Sequence, residues 1–377
     1  MFITDSPDAM LDDLLARIGR KLEITSDQRD FAKREYVEVG RWLGDDDSPL
    51  TPFTPVIYAQ GSLAIDTTVK PLKQDEFDLD LVCELAGGWR GHGPVETLDL
   101  IEKRLQQNGA YKPMVKRMNR CIRLDYPRNF HMDILPGYPD NDKTPGALKV
   151  PDRKLLTWKD SNPKGFAAWF DGKSRHHVFL EKAAKVEPFP DYDLPQDKPT
   201  LKKIVQLFKR RRDIAFSDDP DRAPISVVLT TLAANAYSGH YSVSEGLAET
   251  LAGIMHSIPS GRRLVVPNPT NPAEDFSEKW DNDRALYDSF LKWLRSFIRE
   301  WNDIRLAARD GAGLPHIQKL LSAMFGEAVS VHAISEQQEY IQKIRNSGML
   351  AIDSSRRGLV LAGSGGLDVK KNTFYGA

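Results

Sequence analysis

Apolar residues open the chain at helical spacing. Leu11, Leu14, Leu15, Ile18 and Leu22 fall on one stripe and predict an amphipathic helix over 7–23. Thr25 and Gln28 carry a capping-box signature for a second helix reaching about Leu43, its stripe continued by Val39 and Trp42. Asp45, Asp46, Asp47 and Pro49 break that pattern. Short runs closed by turn residues follow: 54–60 predicts a strand ended by Gly61, 77–85 another strand, and 95–107 a helix. Residues 120–126 and 130–135 predict a hairpin across Pro127, Arg128 and Asn129. Asn162 before Pro163 marks the start of a helix carrying Trp169 and Phe170. Pro188, Pro190, Pro195 and Pro199 among several Asp mark a linker. Beyond it the period is helical over roughly 200–216, 224–238, 243–257, 281–309, 314–326 and 335–346, and a flexible tail is expected from Gly363.

This order predicts an α+β fold in two lobes. Residues 1–195 form a mixed sheet with helices, 196–362 a helical lobe, and 363–377 the tail. A chain of 377 residues has room for two such units. Its 52 Lys and Arg nearly balance 53 Asp and Glu, for a net charge of −1, which argues against gripping long nucleic acids through many phosphates. Two cysteines exclude a disulfide framework and a four-cysteine zinc site, and they suit a reducing cytoplasm. The first 13 residues hold four Asp and no basic residue, so no targeting segment is expected there. The most apolar stretch, 227–237, is too short to span a membrane.

Candidate chemistry lies in the first lobe. Asp78 and Asp80 alternate with Leu79 and Leu81, so a strand puts both carboxylates on one face. Their mutual repulsion is relieved by a divalent cation, and hard oxygen donors suit magnesium. The pair alone reads more readily as a solvated strand face. Gln60, Gly61 and Ser62 end the preceding strand in a turn whose amides and hydroxyl suit a phosphate. Phe130, Met132 and Ile134 form a buried face that leaves His131 and Asp133 on the other. Pairing of that strand with the Asp78 strand would assemble three carboxylates.

A Gly-Ser turn, an Asp-x-Asp strand and a later lone Asp, in that order, resemble the nucleotidyltransferases built on a polymerase β-like palm. The likeness narrows to the bacterial CD-NTases, relatives of cyclic GMP-AMP synthase and oligoadenylate synthase. It rests on Gln60-Gly61-Ser62, Thr67 to Pro71, Asp133 to Pro136, Ser161 to Gly165 with Trp169 and Phe170, Ile204 to Arg210, and Asn268 to Pro272 followed by Glu274, Asp275 and Trp280. The resemblance implies a palm joined to an all-helical, oligoadenylate synthase-like lobe, with the active site in the cleft. It implies that Asp78, Asp80 and Asp133 hold two Mg²⁺ ions, Mn²⁺ being a substitute. Gln60, Gly61 and Ser62 would meet the donor nucleotide, and Lys209 and Ser226 its triphosphate. The implied activity is synthesis of a cyclic di- or trinucleotide second messenger in anti-phage defence. Its substrates would be ATP and a second NTP, GTP or a pyrimidine nucleotide, and a conjugating partner would act on the tail. A linear oligonucleotide synthase and an inactive nucleotide sensor are the alternatives.

Overall fold

The computed structural model describes residues 7–72, 76–174, 193, 197–347, 350–353, 358–361 and 367–368. Most of the expected linker, and the expected tail apart from Leu367–Asp368, lie outside the described residues.

Helices α1 (Pro7–Leu22) and α2 (Ser26–Gly44) open the chain. The capping box of α2 is present: Gln28 N–H donates to Thr25 Oγ1 at 3.2 Å, and Thr25 N–H donates to Gln28 Oε1 at 2.9 Å. Then come β1 (Val56–Ala59), the one-turn helix α3 (Gly61–Ala64), β2 (Phe77–Glu84) and α4 (Pro94–Gln106). Strands β3 (Val115–Arg117), β4 (Ile122–Tyr126), β5 (Phe130–Pro139), β6 (Leu148–Asp152) and β7 (Thr157–Ser161) lead to α5 (Pro163–Ser174). The sheet order is β1-β2-β5-β4-β3, with β6 on the far end of β5 and β7 on β6. Strands β2 and β5 run parallel, and their neighbours are antiparallel. Phe77, Leu79 and Leu81 pack with Phe130, Met132 and Ile134 against Tyr36 and Val39 of α2 and Leu98 and Ile101 of α4. That burial fixes which way each strand faces, and it leaves the opposite face polar. Strands β6 and β7 escaped the sequence reading. Pro151 interrupts β6, and β7 has no fully buried residue to set a period of two.

The second lobe holds α6 (Thr200–Ala215), α7 (Ser226–Ala236), α8 (Val243–His256), the hairpin β8 (Pro267–Asn268) and β9 (Asn271–Asp275), and α9 (Lys279–Asn282). It continues with α10 (Arg284–Arg309), α11 (Leu314–Phe325), α12 (Glu327–Asn346) and a small sheet of β10 (Leu350–Asp353), β11 (Gly358–Leu361) and β12 (Leu367–Asp368). The lobe is thus helical save for the hairpin, which its prolines hid from the sequence pattern, and this last sheet. The stripe of α1 is spent here: Leu11, Leu14, Leu15, Ile18 and Leu22 share one core with Phe208, Phe290, Phe297 and Trp301. We propose that the lobes divide near residue 196, with α1 counted in the helical one.

Helix α6 ties the lobes together. Gln206 Nε2 donates to Thr68 O at 3.0 Å, Lys209 Nζ to Thr67 O at 2.9 Å, and Arg210 Nη2 to Lys70 O at 2.8 Å. The segment gripped in this way is the one that follows the Gly-Ser turn. Among the described residues no helix is long and apolar enough to cross a membrane.

Candidate active site

The parallel register of β2 and β5 sets Asp80 opposite Asp133 and Asp78 opposite His131. The three aspartates therefore share the polar face of the two central strands. Asp78 stands in solvent, its side chain 63% exposed. Asp80 is enclosed, and its carboxyl is pushed up to about 7 by burial first, then by the charges of Asp78 and Asp133. Lys209 and Arg123 pull it partly back. Asp133 is held in a fork: Arg123 Nε donates to Oδ1 at 2.7 Å and Nη2 to Oδ2 at 2.8 Å. Arg123 Nη2 also lies 3.7 Å from Asp78 Oδ1.

Sequence reasoning missed Arg123. The signal was available, since Ile122, Leu124 and Tyr126 alternate as buried residues and leave Arg123 on the face of Asp133. Only the antiparallel register of β4 with β5, which pairs Arg123 with Asp133, shows that they meet.

Among the described residues no three carboxylates, histidines or cysteines are gathered tightly enough to ligate one ion. Arg123 donates once to each oxygen of Asp133, which leaves each oxygen a further lone pair. The residues nevertheless fit a hard divalent cation. All three donors are carboxylates, and Asp80 is buried among like charges without an ion pair among the described residues. This strain has a measurable sign. The folded pKa of Asp80 lies above its ordinary value of 3.8, so the penalty is absent below about pH 4, grows up to about pH 7, and is complete above that. Asp80→Asn should therefore raise the melting temperature of metal-free protein at pH 8 and leave it nearly unchanged at pH 4. Thermal melts across that range with a chelator present check this, and an equal effect at both pH values would contradict it.

The turn before β2 is fitted against this carboxylate. Gln60 N–H donates to Asp80 O at 2.8 Å, and Gln60 Nε2 reaches Leu81 O at 3.5 Å. Gly61 takes a φ of +61°, where side chains are disfavoured, and a Cβ added there would lie 2.5 Å from Asp80 Oδ2. Ser62 Oγ lies 3.2 Å from Thr68 Oγ1, within the segment that α6 grips.

Two chambers meet at Gly61 and Asp80, with Ile65, Phe166 and Val227 as the rest of their shared wall. The smaller, about 490 Å³, is lined by Ser62, Asp78, Lys209, Arg212 and Ser226. The larger, about 750 Å³, is lined by Gln60, Asp133, Trp158, Asn162 and Glu274. Each has the size of a small-molecule site. Lys209 lines the smaller chamber, and its amine donates to Thr67 O and, at 3.0 Å, to Thr67 Oγ1. Burial and the nearby Arg212 charge lower its pKa to about 7. Ser226 accepts from Arg212 Nη1 at 2.6 Å. Arg212 is thus a basic group of this chamber that the sequence alone did not single out.

Residues 10–173 match the family described as the Second Messenger Oligonucleotide or Dinucleotide Synthetase domain. The chain is also 31% identical to a c-di-GMP synthase of Roseivirga ehrenbergii, across the whole of both proteins. The chain belongs to the bacterial CD-NTases. These CD-NTases are polymerase β-like nucleotidyltransferases, and their reaction is cyclic oligonucleotide synthesis. A cyclic dinucleotide synthase of Bradyrhizobium diazoefficiens, CdnG, is 29% identical over 86% of this chain and 82% of its own length. The solved structure of the CD-NTase CdnG of that organism in complex with GTP covers 87% of this chain and 98% of its own, at 27% identity and a TM-score of 0.70.

Proposed function

We propose that this CD-NTase joins nucleoside triphosphates without a template into a cyclic dinucleotide or trinucleotide. The observation that carries the reading is the pair of chambers meeting at Asp80: one has basic and hydroxyl groups for a triphosphate, and the other has room for a second nucleotide. The relative named c-di-GMP synthase and the GTP held by the CdnG structure support NTPs as the substrates.

In each round a ribose hydroxyl oxygen attacks the α-phosphorus of an NTP. A phosphodiester bond forms, the bond to the β-phosphate breaks, pyrophosphate leaves, and the hydroxyl proton passes to solvent. Ser62, Arg212 and Lys209 would position and neutralise the triphosphate. Arg123 holds Asp133 in place beside the attacking nucleotide. Phe166, Ile65 and Val227 form apolar wall at the junction and limit competing water. Asp78, Asp80 and Asp133 would hold two Mg²⁺ ions, Mn²⁺ serving in their place, which when bound lower the pKa of the attacking hydroxyl and offset charge on pyrophosphate. The linear product would turn over in the same cleft and close on itself.

We place this activity in the cytoplasm, as second-messenger synthesis in anti-phage defence. The net charge of −1 favours free nucleotides over a long nucleic acid as the species bound. Protein conjugation at 363–377 is a separate proposal, and it falls outside the described residues apart from β12. The test is pyrophosphate release from mixed NTPs, with Mg²⁺ and without added polymer. Release that stops with a chelator and returns with Mg²⁺ or Mn²⁺ is expected. A strict need for duplex nucleic acid, or NTP binding with no turnover under any condition, would overturn the reading.

A further inference from the structure

The larger chamber contains an unused polar group. Six carboxylates line it: Asp80, Asp133, Asp160, Glu274, Asp275 and Glu278. Four are committed to cations, Asp133 to Arg123, Asp160 to Lys149, Asp275 to Arg263, and Glu278 to Arg120 and Lys159. Among the described residues, Asp80 and Glu274 have no ion pair. Asp80 belongs to the reacting centre, whereas Glu274 sits on β9 in the other lobe.

Its setting is built. Asn268 Nδ2 donates to Glu274 Oε2 at 2.7 Å. The orientation of that amide is fixed from behind, because Asn268 Oδ1 accepts from Thr270 N–H at 3.0 Å and Thr270 Oγ1 at 2.9 Å. The carboxyl is therefore held at one oxygen and has unused acceptor capacity at the other. Burial comes first in raising its pKa to about 7, with Asp160 and Glu278 adding to it against Asn268 and Arg120. A carboxylate so placed gains from a ligand that brings N–H donors and does not itself need a full charge. Trp158, Phe166 and Phe276 add aromatic surface to the same chamber, and the Phe166 and Phe276 rings meet edge to face at 5.7 Å. Flat aromatic wall beside a fixed acceptor suits a nucleobase.

We infer that Glu274 is a specificity-determining residue that reads guanine in the larger chamber, accepting from its N1–H and its 2-amino group. At pH 8, above its raised pKa of about 7, the Glu274 carboxylate is ionised and offers only acceptors, and guanine's Watson–Crick edge offers these two donors side by side, so the titrations are read at that pH. Adenine presents a lone pair at N1 beside one amino group, so it opposes the carboxylate at one of the two positions. Glutamine supplies one acceptor and one donor and would match adenine better than guanine. The inference rests on the proposed two-nucleotide cleft and names the base that one half of it takes.

The test is calorimetric titration of the full chain with GMP, IMP and AMP, monophosphates that draw little on the triphosphate chamber. Wild-type protein should bind GMP roughly 10- to 100-fold tighter than AMP, in line with one bidentate base contact. IMP, which keeps N1–H but lacks the 2-amino group, should fall between them. Glu274→Gln should erase or reverse the preference while still folding, with a melting temperature at or above that of wild type at pH 8 because a buried charge is gone. Equal wild-type affinity for GMP and AMP would overturn the assignment, as would a guanine preference that survives in E274Q. Because the wild-type series needs no variant, a folding defect in E274Q cannot rescue the idea. Pyrophosphate release, read separately, tells failure of this assignment from failure of the proposed reaction: turnover without a guanine preference sinks Glu274 alone.

Discussion

Exchanging both Asp78 and Asp80 for Asn should abolish product formation, lowering turnover by at least about a thousandfold, the scale of losing charge stabilisation at a reacting centre. The pair stands on one polar face of β2, across from Asp133 on β5. Asn keeps the shape of each side chain and removes its charge, so the hydrophobic face formed by Phe77, Leu79 and Leu81 is untouched. The double variant should fold, and above pH 7 it should melt higher than wild type without metal, because the enclosed Asp80 charge is gone. Activity and melting temperature thus move in opposite directions. A merely misfolded variant would lose both, and retained activity would remove the carboxylates from the mechanism. Single-turnover assays with radiolabelled NTP, beside thermal melts, give both readouts.

Gly61→Ala has the second large expected effect, through geometry alone. A residue with a Cβ is strained at φ +61°, and this Cβ would overlap Asp80 Oδ2 at 2.5 Å. Asp80 lines both chambers, so either its carboxylate swings away from the position it shares with Asp78 and Asp133 or the turn gives way. The conflict should shift the carboxylate, the turn that carries Ser62, or both. Turnover should fall by about a hundredfold or more, the scale of a misplaced reacting group. The melting temperature should drop by only a few degrees, as the strain is local and about 1–2 kcal/mol. Gly44→Ala is the control, because a Cβ there meets nothing within 4 Å. Similar kinetics for G61A and G44A would show that the close approach at Gly61 does not matter.

The carboxylates were legible because a strand has a strict period. Once Leu79, Leu81, Met132 and Ile134 are assigned to the core, Asp78, Asp80 and Asp133 have only one face left. Pairing of the two strands was stated as a condition, and the β2–β5 register meets it, in parallel orientation. The helices of the second lobe were legible for the same kind of reason, strong apolar stripes between clear breaks. Groups whose role depends on a neighbour far along the chain were not. The clamp of Arg123 on Asp133 needs the register of β4. The resemblance alone pointed to Lys209, and no local pattern shows the bonds of its amine to Thr67, 142 positions away. Glu274 entered only as part of the resemblance, because its hairpin, with Pro267 and Pro272 in the strands and Pro269 in the turn, carries no periodic signal. Helix α1 was read correctly as an amphipathic stripe, yet nothing local says which lobe would bury it.

The central claim is that both chambers serve one cleft that makes and closes a ring of nucleotides. Its most direct test is mass spectrometry of the product formed from paired NTPs and Mg²⁺, after phosphatase treatment. The account predicts a phosphatase-resistant species whose mass equals the sum of its NTPs less one pyrophosphate for each nucleotide joined. Products that all lose a terminal triphosphate to the phosphatase would contradict it and leave a linear synthase in its place.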